Sequence, residues 1–195
     1  ACTCLLLSGW SVAVRVRSGL PLSPPTEQLD AWAMALPTAA SMSMVSFACL
    51  LLAMNIRERS LLLRVSLGLP FLIATAAAMD YAFSGGHAQR TLRLIALQGN
   101  MSLPTSLSVM LLSAAFFVAA NQKRVDGVLG AVGRVASCVA AGIPYYGAVA
   151  SLLGDQPSSF RFGVLSIGSI TALLLLSTAA LLLLNRPTKT LDTAT

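Results

Sequence analysis

Three runs of about twenty residues carry no charge at all: Met34–Met54, Met101–Ala120 and Val164–Leu184. The hydrocarbon layer of a bilayer is ~30 Å thick and takes about 20 residues of helix to cross. A helix satisfies every backbone N–H and C=O within the segment, which is what lipid demands. Two further runs have the length, Leu61–Phe83 and Gly127–Leu153, each with one arginine near its start, Arg64 and Arg134. A large soluble core is not an adequate alternative. Only 10% of the 195 residues are charged, against about 25% in soluble domains, and a chain of this size still has much surface to cover. The apolar runs are therefore expected to meet lipid. Cys4–Val14 is apolar but too short to cross. It is expected to be the tail of a sixth span whose start precedes the sequence, with a signal peptide as the alternative. The expected fold class is an all-α integral membrane protein, a bundle of about six transmembrane helices built from repeated helical hairpins.

The hairpins are expected to repeat because the sequence does. Met34-Ala35-Leu36-Pro37-Thr38 returns as Met101-Ser102-Leu103-Pro104-Thr105, a step of sixty-seven positions, and the third run carries Thr171 a further sixty-six beyond Thr105. Each run closes at an asparagine near basic residues: Asn55, Asn121 and Asn185. Such a period indicates one supersecondary unit used several times. Residues 1–189 read as one multi-span membrane domain with units of about 34–84, 101–154 and 164–185, and 186–195 as a cytoplasmic tail or linker. Met34 and Thr38, like Met101 and Thr105, are four apart and share a helix face. A proline before the threonine fits a first helical turn, where its missing N–H costs little, and Ser102 could cap that turn. The motif thus reads as a helix-start device at the outer interface. Behind each threonine small residues recur every seven positions: Ala39, Ser46 and Ala53; Ser106, Ser113 and Ala120; Ala172 and Ala179. Such a seam lets helix backbones approach closely. Packing within the bundle is the first reading and a homodimer seam the second.

Basic residues set the expected orientation. Arg57, Arg59, Arg64, Lys123, Arg124, Arg134, Arg186 and Lys189 fall on one side, and Arg15, Arg17, Arg90, Arg93 and Arg161 on the other. The positive-inside rule puts the larger set, and the C-terminus, in the cytoplasm. The net charge of +6 is scattered over span ends, where snorkelling and anionic lipid account for it, so nucleic acid is not an expected partner. Cys2, Cys4, Cys49 and Cys138 support neither a disulfide framework nor a zinc site.

Polar residues inside the second run of each hairpin, the returning run (Leu61–Phe83 and Gly127–Leu153), are the candidate ligand positions. Asp80-Tyr81 and Tyr145-Tyr146 come near the outer ends of their helices, where tyrosines usually anchor at the interface and an acid can line a cavity. Pro70 and Pro144 should kink these helices, so a pocket near the outer face is expected around these four residues. No catalytic constellation or phosphate loop is present, His87 stands alone, and no metal site or cofactor is assigned.

The repeated unit resembles the N-terminal multi-span sensor regions of bacterial histidine kinases and diguanylate cyclases. There a motif like Met-Ser-Pro-x-Thr-Ala-Leu opens an apolar helix, recurs two or three times and ends in arginine-rich turns. The match is carried by Met34–Ala39, Met101–Leu107, Thr171-Ala172-Leu173 and Ile143-Pro144-Tyr145-Tyr146-Gly147, within about residues 33–189. Proline precedes the threonine here, Ser106 stands for the first alanine, and Ile167 stands where the third methionine is expected. The resemblance implies a sensor in the bacterial inner membrane, a homodimer with a downstream cytoplasmic signalling domain. A structural subunit of a larger membrane complex is the alternative, followed by a small-molecule carrier.

Overall fold

Both copies of Leu-Pro-Thr begin a helix. In the computed structural model, which describes residues 36–54, 61–84, 101–120, 127–152 and 167–185, α1 is Leu36–Ala53 and α3 is Leu103–Ala120. Pro37 and Pro104 fall in the first turn, where a missing N–H leaves no bond unmade. Ser102 supplies the expected cap. Its hydroxyl accepts the Thr105 N–H at 3.4 Å and shares a 2.7 Å hydrogen bond with the Thr105 hydroxyl. The Ser106 hydroxyl donates to the Leu103 carbonyl at 2.8 Å, so this helix start satisfies itself before any neighbour arrives.

The other described helices are α2 (Leu61–Ser84), α4 (Val128–Leu152) and α5 (Ile167–Leu184), and no strand occurs among the described residues. Three of the five are long and apolar enough to cross a membrane: Leu61–Phe83, Leu103–Ala120 and Val128–Tyr146. The apolar stretches of α1 and α5 are shorter, Pro37–Ala53 and Ser169–Leu184. The expected count of five full spans is thus three on described residues. The sixth span at Cys4–Val14 lies outside the described residues, as do Met34, His87, Asn55 and Asn121.

The entry helices form the centre. α1, α3 and α5 pack on one another, α2 packs on α1 and α3, and α4 packs on α3 and α5. α3 packs on all four other described helices, and of the three spanning helices it is the most buried. Gly133 shows how closely α4 approaches: a Cβ there would stand 3.2 Å from Val118 Cγ1 and 3.4 Å from both Leu184 methyls. Gly133 is early in α4, whereas Val118 and Leu184 are late in α3 and α5, so α4 runs opposite to both.

Burial repeats more faithfully than sequence. From 37 to 51 in α1, the buried positions are those of 104 to 118 in α3, the same step of sixty-seven that separates the two motifs. The returning helices obey the same period. Leu63, Ser66, Leu67, Pro70, Ile73, Ala74 and Ala77 are buried in α2. One period on, Gly130, Gly133, Ser137, Ala140 and Pro144 are buried and Arg134 and Ala141 half-buried. Only the Ala74/Ala141 pair keeps its residue. α5 follows α3 at a different interval. Its buried Leu173, Leu176 and Ala180 correspond to Thr105, Ser108 and Leu112 at a step of sixty-eight; at sixty-six, Leu173 and Ala180 would fall on exposed Leu107 and Ala114. Thr171, placed by its sequence at sixty-six, is half-buried whereas Thr38 and Thr105 are buried.

Candidate functional site

Two groups of residues can be followed from the sequence into the fold. Asp80 and Tyr81 sit in the last turns of α2, half-buried, and Tyr145 and Tyr146 lie in α4, 64% and 58% exposed. α2 and α4 each pack on α3 but share no comparable interface with each other. The four side chains are thus held on two separately packed helices, with Tyr145 and Tyr146 turned outward. Pro70 is the tenth residue of α2 and Pro144 the seventeenth of α4, both buried, so the carbonyls they leave without a helical N–H partner belong to different depths.

The repeat motif lies indoors. Pro37, Thr38, Met101, Pro104 and Thr105 are buried, as are Ser46 and Ser113 of the small-residue seam; Ala179 is half-buried. Four interior hydroxyls make no hydrogen bond: Ser41 and Ser46 of α1, and Ser108 and Ser113 of α3. Ser41 and Ser108 are one period apart, and so are Ser46 and Ser113, so the same two places in the repeat are polar and unpartnered twice. In the third unit the corresponding places hold Leu176 and Leu181. Other interior serines bond the carbonyl four residues back: Ser43 to Ala39 at 2.8 Å, Ser137 to Gly133 at 2.9 Å and Ser177 to Leu173 at 2.7 Å. That local bond is the ordinary answer for serine in an apolar helix, and it makes the four exceptions informative. The identity of Ser41 with Ser108 was present in the sequence, but it lies between motif and seam and belongs to neither pattern.

Chemically the interior is a set of hydroxyls in a low-polarity medium. Ser41 and Ser46 are five residues apart, about 140° round a helix, so they serve different interfaces and do not converge on one ligand. Among the described residues no three His, Cys, Asp or Glu side chains come together. Arg134 is half-buried and Arg64 exposed, near the starts of their helices, where a long stem can carry the charge back to the interface. Cys49 is buried and Cys138 exposed, and neither belongs to a disulfide.

Geometry therefore defines a helical bundle with three helices able to cross a membrane and an interior of small and hydroxyl-bearing residues. No match to this chain was found among protein-family models, curated proteins or solved structures.

Proposed function

We propose that this chain is a membrane-embedded input module of a bacterial signalling protein, lying in the inner membrane as a homodimer with its C-terminus in the cytoplasm. The observation that supports it best is the placement of α5. This last described helix packs on α1, α3 and α4 together, and its Leu184 end lies against Gly133. A displacement of any of those helices would carry to α5 and out through residues 186–195, which is how a helix shift becomes a signal. The stimulus acts at or within the membrane, and the output domain lies downstream.

The test has two parts. The genomic reading frame beyond Thr195 is expected to encode a kinase or cyclase domain; a stop codon there, with no output domain in frame, overturns the input-module reading. A periplasm-active phosphatase fused after Thr195 is expected to be silent. An active fusion would reverse the assigned orientation.

A further inference from the structure

Around α3 stand α4, α5, α1 and α2 in that order, because α4 packs on α5, α5 on α1 and α1 on α2, while α2 and α4 share no comparable interface. Among the described helices the ring of neighbours is therefore open between α2 and α4 alone. The three exposed residues of α3 mark the opening: Leu107, Ala114 and Phe117. They form one strip with half-buried Leu103 and Met110, each three or four residues from the next. Val118, at the edge of the strip, faces α4 through Gly133, as the order requires. We infer that this groove takes an acyl chain of an anionic phospholipid, whose headgroup phosphate meets Arg64 at the groove's mouth. The inference needs a bilayer around the bundle and does not rest on the sensor reading.

The floor is not made for a further helix. Helices associate in lipid through small and hydroxyl-bearing residues, and every serine, threonine and alanine of α3 except Ala114 is buried. The groove keeps long side chains instead, with Phe117 52% and Leu107 40% exposed. Such a floor offers an acyl chain dispersion contacts and denies a helix backbone a close approach. The charge comes from α2. It packs on α1 and α3 as α4 packs on α3 and α5, and it buries the same positions one period earlier. Like α4, it therefore runs opposite to both neighbours and starts at the level where α3 ends. Its buried line passes through Pro70, and Phe71 and Arg64 stand about 100° and 120° round from that line in the same sense. On a helix opposed to α3 that sense leads to the flank over the strip, whereas Leu62 and Leu69 turn to the flank beside α1. Arg64 is exposed in the first turn of α2, level with the Phe117 end of the strip, where its guanidinium can pair with a lipid phosphate. The matching flank of α4 turns to α5 and carries Arg134, so the second cation serves a different place.

Fluorescence quenching by brominated lipid tests this in the full chain, with Trp10 and Trp32 replaced by phenylalanine. Phe117→Trp puts the fluorophore in the groove, and Leu72→Trp puts it on the outward face of α2, where Leu72 is 64% exposed. Phosphatidylcholine vesicles carry a small share of either brominated phosphatidylglycerol or brominated phosphatidylcholine. Phe117→Trp is expected to be quenched about fivefold more effectively by the phosphatidylglycerol, the preference one basic residue confers near an anionic headgroup. Arg64→Gln should erase the preference, Arg134→Gln should keep it, and Leu72→Trp should show none. Equal quenching by the two lipids in the groove would overturn the inference. So would a preference that survives Arg64→Gln or falls equally with Arg134→Gln. Quenching by neither lipid in the groove, with Leu72→Trp still quenched, would give the groove to another occupant, and a disulfide dimer through Phe117→Cys would identify it as a second copy. Loss of quenching at both positions would overturn the bilayer placement itself, and the inference with it.

Discussion

The entry helices and the returning helices repeat in different ways. α1 and α3 repeat residues as well as burial: Leu36/Leu103, Pro37/Pro104, Thr38/Thr105, Ser41/Ser108, Ser46/Ser113 and Ala48/Ala115. α2 and α4 repeat burial, but along the buried stripe only Ala74/Ala141 keeps its residue, with Leu63 answered by Gly130 and Ile73 by Ala140 across the period. Neighbours explain the contrast. α3 meets four helices, so a change on most of its faces must be absorbed by a partner. A returning helix buries one stripe and leaves the rest open, where Leu62, Leu72, Val132 and Val135 are exposed and one apolar residue serves as well as another. Along the buried stripe, size can drift as long as the helix moves in or out to match.

The contrast breaks if the interior of α3 tolerates what the faces of α4 tolerate. Phe116→Ala is expected to have the largest effect, because Phe116 is fully buried in α3. Such truncations cost about 3–5 kcal/mol in water-soluble cores. In lipid the transfer component is absent and lost packing remains, which puts the expectation near the lower bound, about 3 kcal/mol by unfolding in mixed micelles. Phe117→Ala, on the exposed side of the same turn, should stay within about 0.5 kcal/mol. Equal losses at the two positions would show that α3 is not the centre.

Gly133→Leu comes next. A side chain there must push Val118 and Leu184 apart from starting distances of 3.2 and 3.4 Å, and overpacking of this kind costs about 1–3 kcal/mol. Gly142, in the same helix, has nothing within 4 Å of a built Cβ, so Gly142→Leu should be neutral to slightly stabilising through helix propensity. A difference below about 0.5 kcal/mol between the two variants would remove Gly133 as the contact point of α4.

Much of the fold could be read from the chain, for reasons that particular residues make plain. Pro37 and Pro104 announce helix starts because proline is tolerated in the first turn and little beyond it, and the long charge-free runs declare helices by lipid's demand on the backbone. The period in α2 and α4 was hidden because a single buried stripe fixes positions and not identities. Thr171 misled because residue matching set it at a step of sixty-six, whereas the packing of α5 follows sixty-eight. The candidate pocket residues sit on two helices that pack separately on α3, which the sequence does not reveal. Asp80 and Tyr145 lie at similar heights on paper, but height says nothing of which groove a helix occupies.

Ser102→Ala should cost about 1 kcal/mol, the usual loss of an N-cap, seen as a lower midpoint in the same unfolding assay. The effect is expected to be confined to the start of α3, so hydrogen exchange of the Thr105 and Ser106 amides should rise while Leu112 and Phe116 stay protected. Exchange rising along the whole helix would mean that the cap governs packing as well as the first turn.

The smallest expected effect separates the two kinds of interior serine. Ser137 bonds the Gly133 carbonyl, so Ser137→Ala gives up a satisfied hydrogen bond worth about 0.5–1.5 kcal/mol. Ser41 and Ser108 are buried with no partner, and removing an unsatisfied hydroxyl is neutral or stabilising by up to about 1 kcal/mol. Ser41→Ala and Ser108→Ala should therefore shift stability in the opposite direction to Ser137→Ala, and by similar amounts in α1 and α3 because the two sites are one place in the repeat. Should both variants instead lose what Ser137→Ala loses, the hydroxyls must turn back to the Pro37 and Pro104 carbonyls, four residues earlier. The repeated polarity of α1 and α3 would then be a local helix property, and only burial would remain as what the two pairs of helices share.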